Sequence, residues 1–241
     1  YDLTKFKHGL EELNITLTDE QIEQFLQYYE MLVEKNKVMN LTGITEYEEV
    51  IQKHFLDSLS LIRVIPDIAS QKLTVIDLGT GAGFPGIPLK IAFPELEITL
   101  MDSLNKRILF LQEVIDALGL KKVSAVHGRA EEMASNATHR QQYDLCVSRA
   151  VSNLAVLTEY CLPFVKKGGL FVSYKSADSD AEIQEGKKAI SILGGKLTSV
   201  DKFQLPDSDL RRALVCIKKV KDTPKKYPRK AGTPAKLPLR S

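Results

Sequence analysis

A short apolar run, Val75-Ile76-Asp77-Leu78, breaks into Gly79-Thr80-Gly81-Ala82-Gly83-Phe84-Pro85-Gly86 before the pattern turns helical. Glycine suits such a turn because a Cβ would block close approach of the backbone to a ligand. In open α/β sheets, ligands sit at the carboxyl ends of strands near the switch in strand order. Gly81, Gly83 and Gly86 satisfy GxGxxG, with Asp102 about 20 residues on, as in a dinucleotide fingerprint. Asp77 argues for another ligand. A carboxylate two residues before Gly79 would oppose a pyrophosphate but suit a cationic amino-acid group such as that of S-adenosylmethionine. On the loop alone, a dinucleotide and a purely structural turn stay open.

Asp102 closes the next apolar run, Leu100-Met101-Asp102-Ser103. Its two oxygens could accept both hydroxyls of a ribose, and Asp102 or Ser103 could also cap the helix that follows. After the third run comes His127-Gly128-Arg129-Ala130-Glu131-Glu132, a turn where an adenine ring would lie against the strand ends. His127 reads there as a satisfied loop histidine rather than a catalyst.

The fourth run is followed by Ser148-Arg149-Ala150-Val151. The Pro-Pro-aromatic element of enzymes that methylate exocyclic amino groups is absent. Cys146 falls inside the run and not in an exposed loop, so it reads as a small buried apolar residue and not as the nucleophile of a carbon-5 pyrimidine methylase. A target atom with its own lone pair, such as guanine N7, needs no general base, only alignment. Arg149 could orient a purine by its O6/N7 edge or simply pair with a surface carboxylate.

These residues need a sheet to hold them. Apolar runs rich in β-branched residues at 73–78, 98–101, 122–126, 143–147 and 170–174 alternate with helical segments near 85–93, 105–118, 153–165 and 181–193. Alternation of this kind implies right-handed βαβ units and a parallel sheet. Runs at 196–204 and 213–219 follow one another without a helix, so they are expected to pair antiparallel at the sheet edge. Before the sheet, Thr18–Asn36 carries Ile22, Phe25, Leu26, Tyr29, Leu32 and Val33 at helical spacing, with Thr18 and Gln21 as a capping box. A second helix is expected from Tyr47 to Ile65, after a turn at Asn40-Leu41-Thr42-Gly43. The expected division is a helical extension over 1–66, a Rossmann-like domain over 67–219 and a basic, proline-rich tail over 220–241.

Composition limits what else the chain could be. Its 241 residues, 44% hydrophobic and 27% charged, exclude an extended disordered protein. The sequence contains no apolar run of about 18 residues that would span a membrane. Three scattered cysteines suggest neither a disulfide frame nor a zinc site, so a reduced, cytoplasmic setting, no metal and a monomer are expected. The net charge of +2 hides a division: residues 218–241 hold nine basic residues and one acidic, leaving the body at −6. A basic tail on an acidic body suggests a polyanionic partner. Lys218, Lys219, Lys221, Lys225, Lys226, Arg229 and Lys230 are the expected phosphate contacts. Truncation after Ile217 is then expected to lose affinity for that partner and keep affinity for the ligand of the glycine turn, provided the edge strand survives.

Seven short stretches, in order, resemble one family: Asn40–Thr45, Lys53–Ser58, Asp77–Gly86, Asp102–Arg107, Arg129–Glu131, Ser148–Val151 and Thr223–Arg229. The chain resembles the bacterial small-subunit rRNA guanine-N7 methyltransferases, formerly called glucose-inhibited division protein B. The resemblance implies a class I S-adenosylmethionine-dependent methyltransferase fold, a Rossmann-like, mostly parallel sheet. It implies methyl transfer to N7 of one guanine in 16S rRNA, with 16S rRNA or the small ribosomal subunit as partner. By the family's pattern, cofactor contacts fall on Gly79, Phe84, Ala130, Glu131 and Arg149. Gly81 and Asp102 join them on the reading above, and Arg149 is the choice for positioning the guanine. The rival readings are a small-molecule methyltransferase and an RNA-binding assembly factor with a vestigial pocket.

Overall fold

The computed structural model describes residues 1–240. Two helices open the chain, α1 (Thr4–Glu12) and α2 (Asp19–Asn36). The capping box forms as expected: Thr18 Oγ1 accepts the Gln21 N–H at 3.1 Å, and Gln21 Oε1 accepts the Thr18 N–H at 2.8 Å. The face α2 buries is centred on Ile22, Phe25, Tyr28 and Leu32.

The next helix departs from expectation. In place of one regular helix over 47–65, the chain winds as α3 (Tyr47–Val50), a π-helical segment (Ile51–Leu56), α4 (Asp57–Leu59) and a 3₁₀ turn (Ser60–Arg63). π-helical turns are rare and tend to occur at functional sites. This one carries His54 and leads into Asp57, and both polar side chains are buried.

Five strands then alternate with helices: β1 (Thr74–Leu78), α5 (Gly86–Ala92), β2 (Glu97–Asp102), α6 (Asn105–Leu118), β3 (Val123–His127), α7 (Ala130–Met133), β4 (Tyr143–Ser148), α8 (Leu154–Cys161) and β5 (Val165–Ser176). After α9 (Asp180–Ile192) come β6 (Gly195–Gln204) and β7 (Arg211–Lys219), and a short α10 (Thr233–Lys236) lies near the end. The sheet order is β3-β2-β1-β4-β5-β7-β6. β1 to β5 are parallel, and β7 runs antiparallel between β5 and β6. The expected parallel sheet with an antiparallel edge hairpin is what forms. Strand order reverses between β1 and β4, so the segments after Leu78 and Ser148 flank the switch point, where a ligand cleft is expected.

The two faces of the sheet carry separate apolar cores. Phe6, Phe25, Phe55, Phe84, Phe110 and their neighbours fill one, so α1 to α4 form part of the same layer as α5 and α6. Ile76, Cys146, Leu157, Phe171 and Ile190 fill the other, with Tyr227 from beyond β7 packed among them. The segment after β7 thus lies on the body. Two of the expected phosphate contacts are withdrawn by this packing. Lys219 is fully buried, its Nζ donating to the carbonyls of Leu162 and Val165, both at 2.8 Å. Burial pushes its pKa down to about 7. Arg229 is paired with Glu159. No helix among the described residues is long and apolar enough to cross a membrane.

Candidate active site

The glycine turn is held by the strand beside it. The N–H groups of Gly79 and Thr80 donate to the Met101 carbonyl at 2.9 and 3.1 Å. Gly81 donates its N–H to Asp102 Oδ2 at 2.9 Å. Gly81 has φ +59°, a conformation that disfavours side chains, and a Cβ there would point into open space. Gly86 is glycine for a different reason: a Cβ would collide with Leu100 and lie 2.8 Å from Asp77 Oδ2.

Asp77 also has a part in holding the turn itself. Its carboxylate is fully buried beneath the turn, where Oδ2 accepts from Thr80 Oγ1 at 2.7 Å and from the Gly86 N–H at 2.8 Å. It therefore braces the turn from below. Burial pushes its pKa up to about 7. A carboxyl raised in the folded state holds its proton more tightly there, so it stabilises at low pH, and that contribution is lost as pH rises through about 7. The melting temperature should therefore fall from pH 4.5 to 7.5 more steeply in the native chain than in Asp77→Asn. Parallel curves would show that the carboxyl ionises as an ordinary one.

A cleft of about 390 Å³ opens at the switch point. Leu78 and Gly79 bound it at the end of β1, Met101 and Ser103 at the end of β2, and Ala150 after β4. α7 contributes Ala130 and Glu131, and α8 contributes Leu157 and Tyr160. Apolar Met101, Ala130 and Leu157 beside polar Ser103 and Glu131 suit a nucleoside, with a flat ring and a hydroxylated edge. Of the residues singled out in the sequence, Gly79, Ala130 and Glu131 are in the wall.

Asp102 lies just behind it, 4% exposed. Its Oδ1 accepts the Leu104 N–H and its Oδ2 the Gly81 N–H, both at 2.9 Å. Neither Asp102 nor Ser103 caps α6, whose N-cap is Leu104 with no side-chain bond. Asp102 instead ties the turn after β1 to the loop after β2. Asp102→Ala should therefore lower the melting temperature and also weaken cofactor binding by about 1.5–3 kcal/mol, the scale of hydrogen bonds to a charged group. Loss of stability with unchanged affinity would leave it a brace alone. His127 donates its Nε2–H to the Ser103 carbonyl at 3.0 Å, as a loop histidine does.

The remaining two, Phe84 and Arg149, meet beside the turn, with the Arg149 guanidinium 5.4 Å from the Phe84 ring centroid. Sequence reading missed the residues that hold them. His54 stacks on Phe84 with centroids 4.3 Å apart, and its Nδ1 lies 3.1 Å from Arg149 Nη2. Arginine can only donate, so Nδ1 accepts and Nε2–H donates to Thr42 Oγ1 at 2.8 Å. Burial, aided by the Arg149 charge, pushes the His54 pKa down to about 3, so the ring is neutral. Asp57, 1% exposed, lies between two arginines, 3.3 Å from Arg149 Nη1 and 2.9 Å from Arg212 Nε. The carboxylate paired with Arg149 is thus buried, and not on the surface. Helical spacing contained a signal for His54 and Ser58, which interleave with Ile51, Phe55 and Ile62 on an otherwise apolar face. Nothing in the sequence points to Arg212.

All three cysteines are free and buried. Burial raises the Cys146 thiol well above its ordinary range, which is the opposite of what a thiolate nucleophile needs. Among the described residues, no group of three or more His, Cys, Asp or Glu side chains could hold a metal ion.

A mostly parallel sheet whose first strand ends in a glycine turn, with a nucleoside-sized cleft at its switch point, gives the chain a Rossmann-like fold of the kind that S-adenosylmethionine-dependent methyltransferases have. The same fold recurs in a mutant form of MtNAS (TM-score 0.55, 15% identity, 91% of this chain and 82% of that one) and in TrmN from Thermus thermophilus (TM-score 0.51, 14% identity, 70% and 53%). Residues 21–215 match the model of the GidB family, rRNA small subunit methyltransferase G. The chain is 57% identical over 238 residues to the ribosomal RNA small subunit methyltransferase G of Lachnoclostridium phytofermentans, covering 99% of this chain and 98% of the relative. It is 54% identical over 234 residues to that of Alkaliphilus metalliredigens, covering 97% of each. The chain belongs to this family.

Proposed function

We infer that this chain transfers the methyl group of S-adenosylmethionine to N7 of one guanine in 16S rRNA of the small ribosomal subunit. The observation that carries the reading beyond the family is the patch beside the cleft, which offers alignment while its two basic groups are engaged, Asp57 by Arg149 and Arg212 and His54 by Thr42 and Arg149. His54 is neutral with both ring nitrogens engaged, and the cysteines are buried. A substrate atom with its own lone pair fits that patch.

The cofactor fits the cleft on two observations: the open space in front of Gly81, and Asp77 Oδ1, buried with no hydrogen-bond partner beneath the turn. When bound, the cofactor supplies an electrophilic methyl group on a sulfonium centre. Gly79, Ala130 and Glu131 would line its nucleoside portion, while Gly81 and Asp102 fix the turn and the ribose edge. Phe84 and Arg149, which the family's pattern gives to the cofactor, would border it beside the turn, and Arg149, its guanidinium held by Asp57 and His54, is also assigned to the guanine. Arg149 would then hold the purine through O6, leaving the N7 lone pair free to face the methyl group that the cofactor supplies when bound. The protein works on this reading as a monomer in the cytoplasm. Its three parts are the helical extension, the methyltransferase domain and the basic terminal segment.

The experiment is to incubate the chain with methyl-labelled cofactor and small ribosomal subunits that lack the modification. Label on 16S rRNA supports the reading. Label on small molecules alone would leave a metabolite methyltransferase, and cofactor binding without transfer would leave an assembly factor.

A further inference from the structure

The chain beyond β7 is strapped to the walls of the cofactor cleft. Arg140 takes its start, donating to the carbonyls of Thr223 at 3.0 Å and Tyr227 at 2.7 Å. Arg229 then reaches Glu159, its Nη2 donating to Oε1 at 2.7 Å and its own N–H to Oε2 at 2.8 Å. Glu159 is fully buried on α8, next to Tyr160 of the cleft wall, and among the described residues Arg229 is the one cation on it. Three residues on, the Gly232 N–H donates to Glu131 Oε2 at 2.9 Å, on the wall formed by α7. The same segment turns Lys225, Lys226, Lys230 and Lys236 outward to solvent.

We propose that residues 223–240 couple RNA binding to cofactor binding, the exposed lysines meeting phosphates while Gly232 holds Glu131 in the cleft wall and Arg229 holds Glu159 behind it, beside Tyr160. The proposal rests on the methyltransferase reading. Phosphates on the lysines and a nucleoside in the cleft both favour the docked strap, so each should strengthen the other's binding. On this proposal, truncation after Ile217 costs cofactor affinity as well as RNA affinity. Without Arg229, a buried carboxylate is left unpaired beside the wall.

The test is calorimetric titration of S-adenosylhomocysteine into the full chain, with and without an unmethylated 16S rRNA transcript. The transcript should raise affinity in the native chain by about fivefold or more. Arg229→Gln should weaken binding by at least about tenfold. Adding Glu159→Gln removes the unpaired charge and should restore most of that loss, yet the gain from RNA should be absent, because the strap is no longer pinned. If Arg229→Gln fails to fold, the double variant reads the coupling by itself. The proposal is overturned by native affinity in Arg229→Gln, by no RNA gain in the native chain, or by an undiminished gain in the double variant. No binding of S-adenosylhomocysteine to the native chain under either condition would overturn the cofactor reading instead.

Discussion

Gly81→Val should abolish S-adenosylmethionine binding in a chain that still folds. Gly81 sits at φ +59°, where a β-branched residue is strained by roughly 1–3 kcal/mol. Its N–H anchors the turn to Asp102, so relief of that strain would pull the loop off its brace. A side chain that kept the native φ would project into space free of protein atoms within 4 Å, the room a ligand needs. Both routes remove the site, and neither reaches the core. Circular dichroism reports the fold and calorimetry the binding. Unchanged affinity in a folded variant would take the glycine turn out of the cofactor site.

Arg149→Lys should be impaired almost as badly as Arg149→Ala, with single-turnover rates down by about a hundredfold or more, the scale on which misplaced reactants lose rate. A lysine keeps the charge but loses the planar fork. That fork spans Asp57, His54 and the face of Phe84 at once, and a single ammonium cannot reproduce it. With saturating cofactor and rRNA the rate should show no essential ionisation between about pH 6 and 9. His54 titrates near 3, and a bound cationic cofactor would keep Asp77 ionised. Near-native turnover in Arg149→Lys would reduce the residue to a point charge. A bell-shaped profile abolished by substituting His54 would show acid–base work by that ring.

The sheet was legible because its signals are local. Alternating runs and helical spacing lie within a few residues of one another, and the glycine turn announces both its strand and its helix. Part of the cleft wall was legible for the same reason, since Gly79, Ala130 and Glu131 each follow a strand end. The support of Arg149 was not. Asp57 and Arg212 are 155 positions apart, and only the fold brings their side chains to 2.9 Å. A regular helix over 47–65 was the natural reading of its apolar spacing, but the π-helical segment interrupts it and carries His54 into the site. The terminal segment misled for a chemical reason. Its composition is that of a solvated tail, yet Arg229 answers a buried carboxylate 70 residues away and Lys219 caps two carbonyls in the core. Charge in a sequence does not say which charges face water.

The most direct measurement of the central assignment is to locate the methyl group on its acceptor atom. Small subunits lacking the modification are incubated with the chain and methyl-labelled cofactor, the 16S rRNA is digested to nucleosides, and the labelled nucleoside is identified by mass spectrometry. The expected result is label in 7-methylguanosine alone, at one position of the rRNA, and none with Gly81→Val. Label on an exocyclic amine, on a pyrimidine carbon or on a ribose oxygen would contradict it.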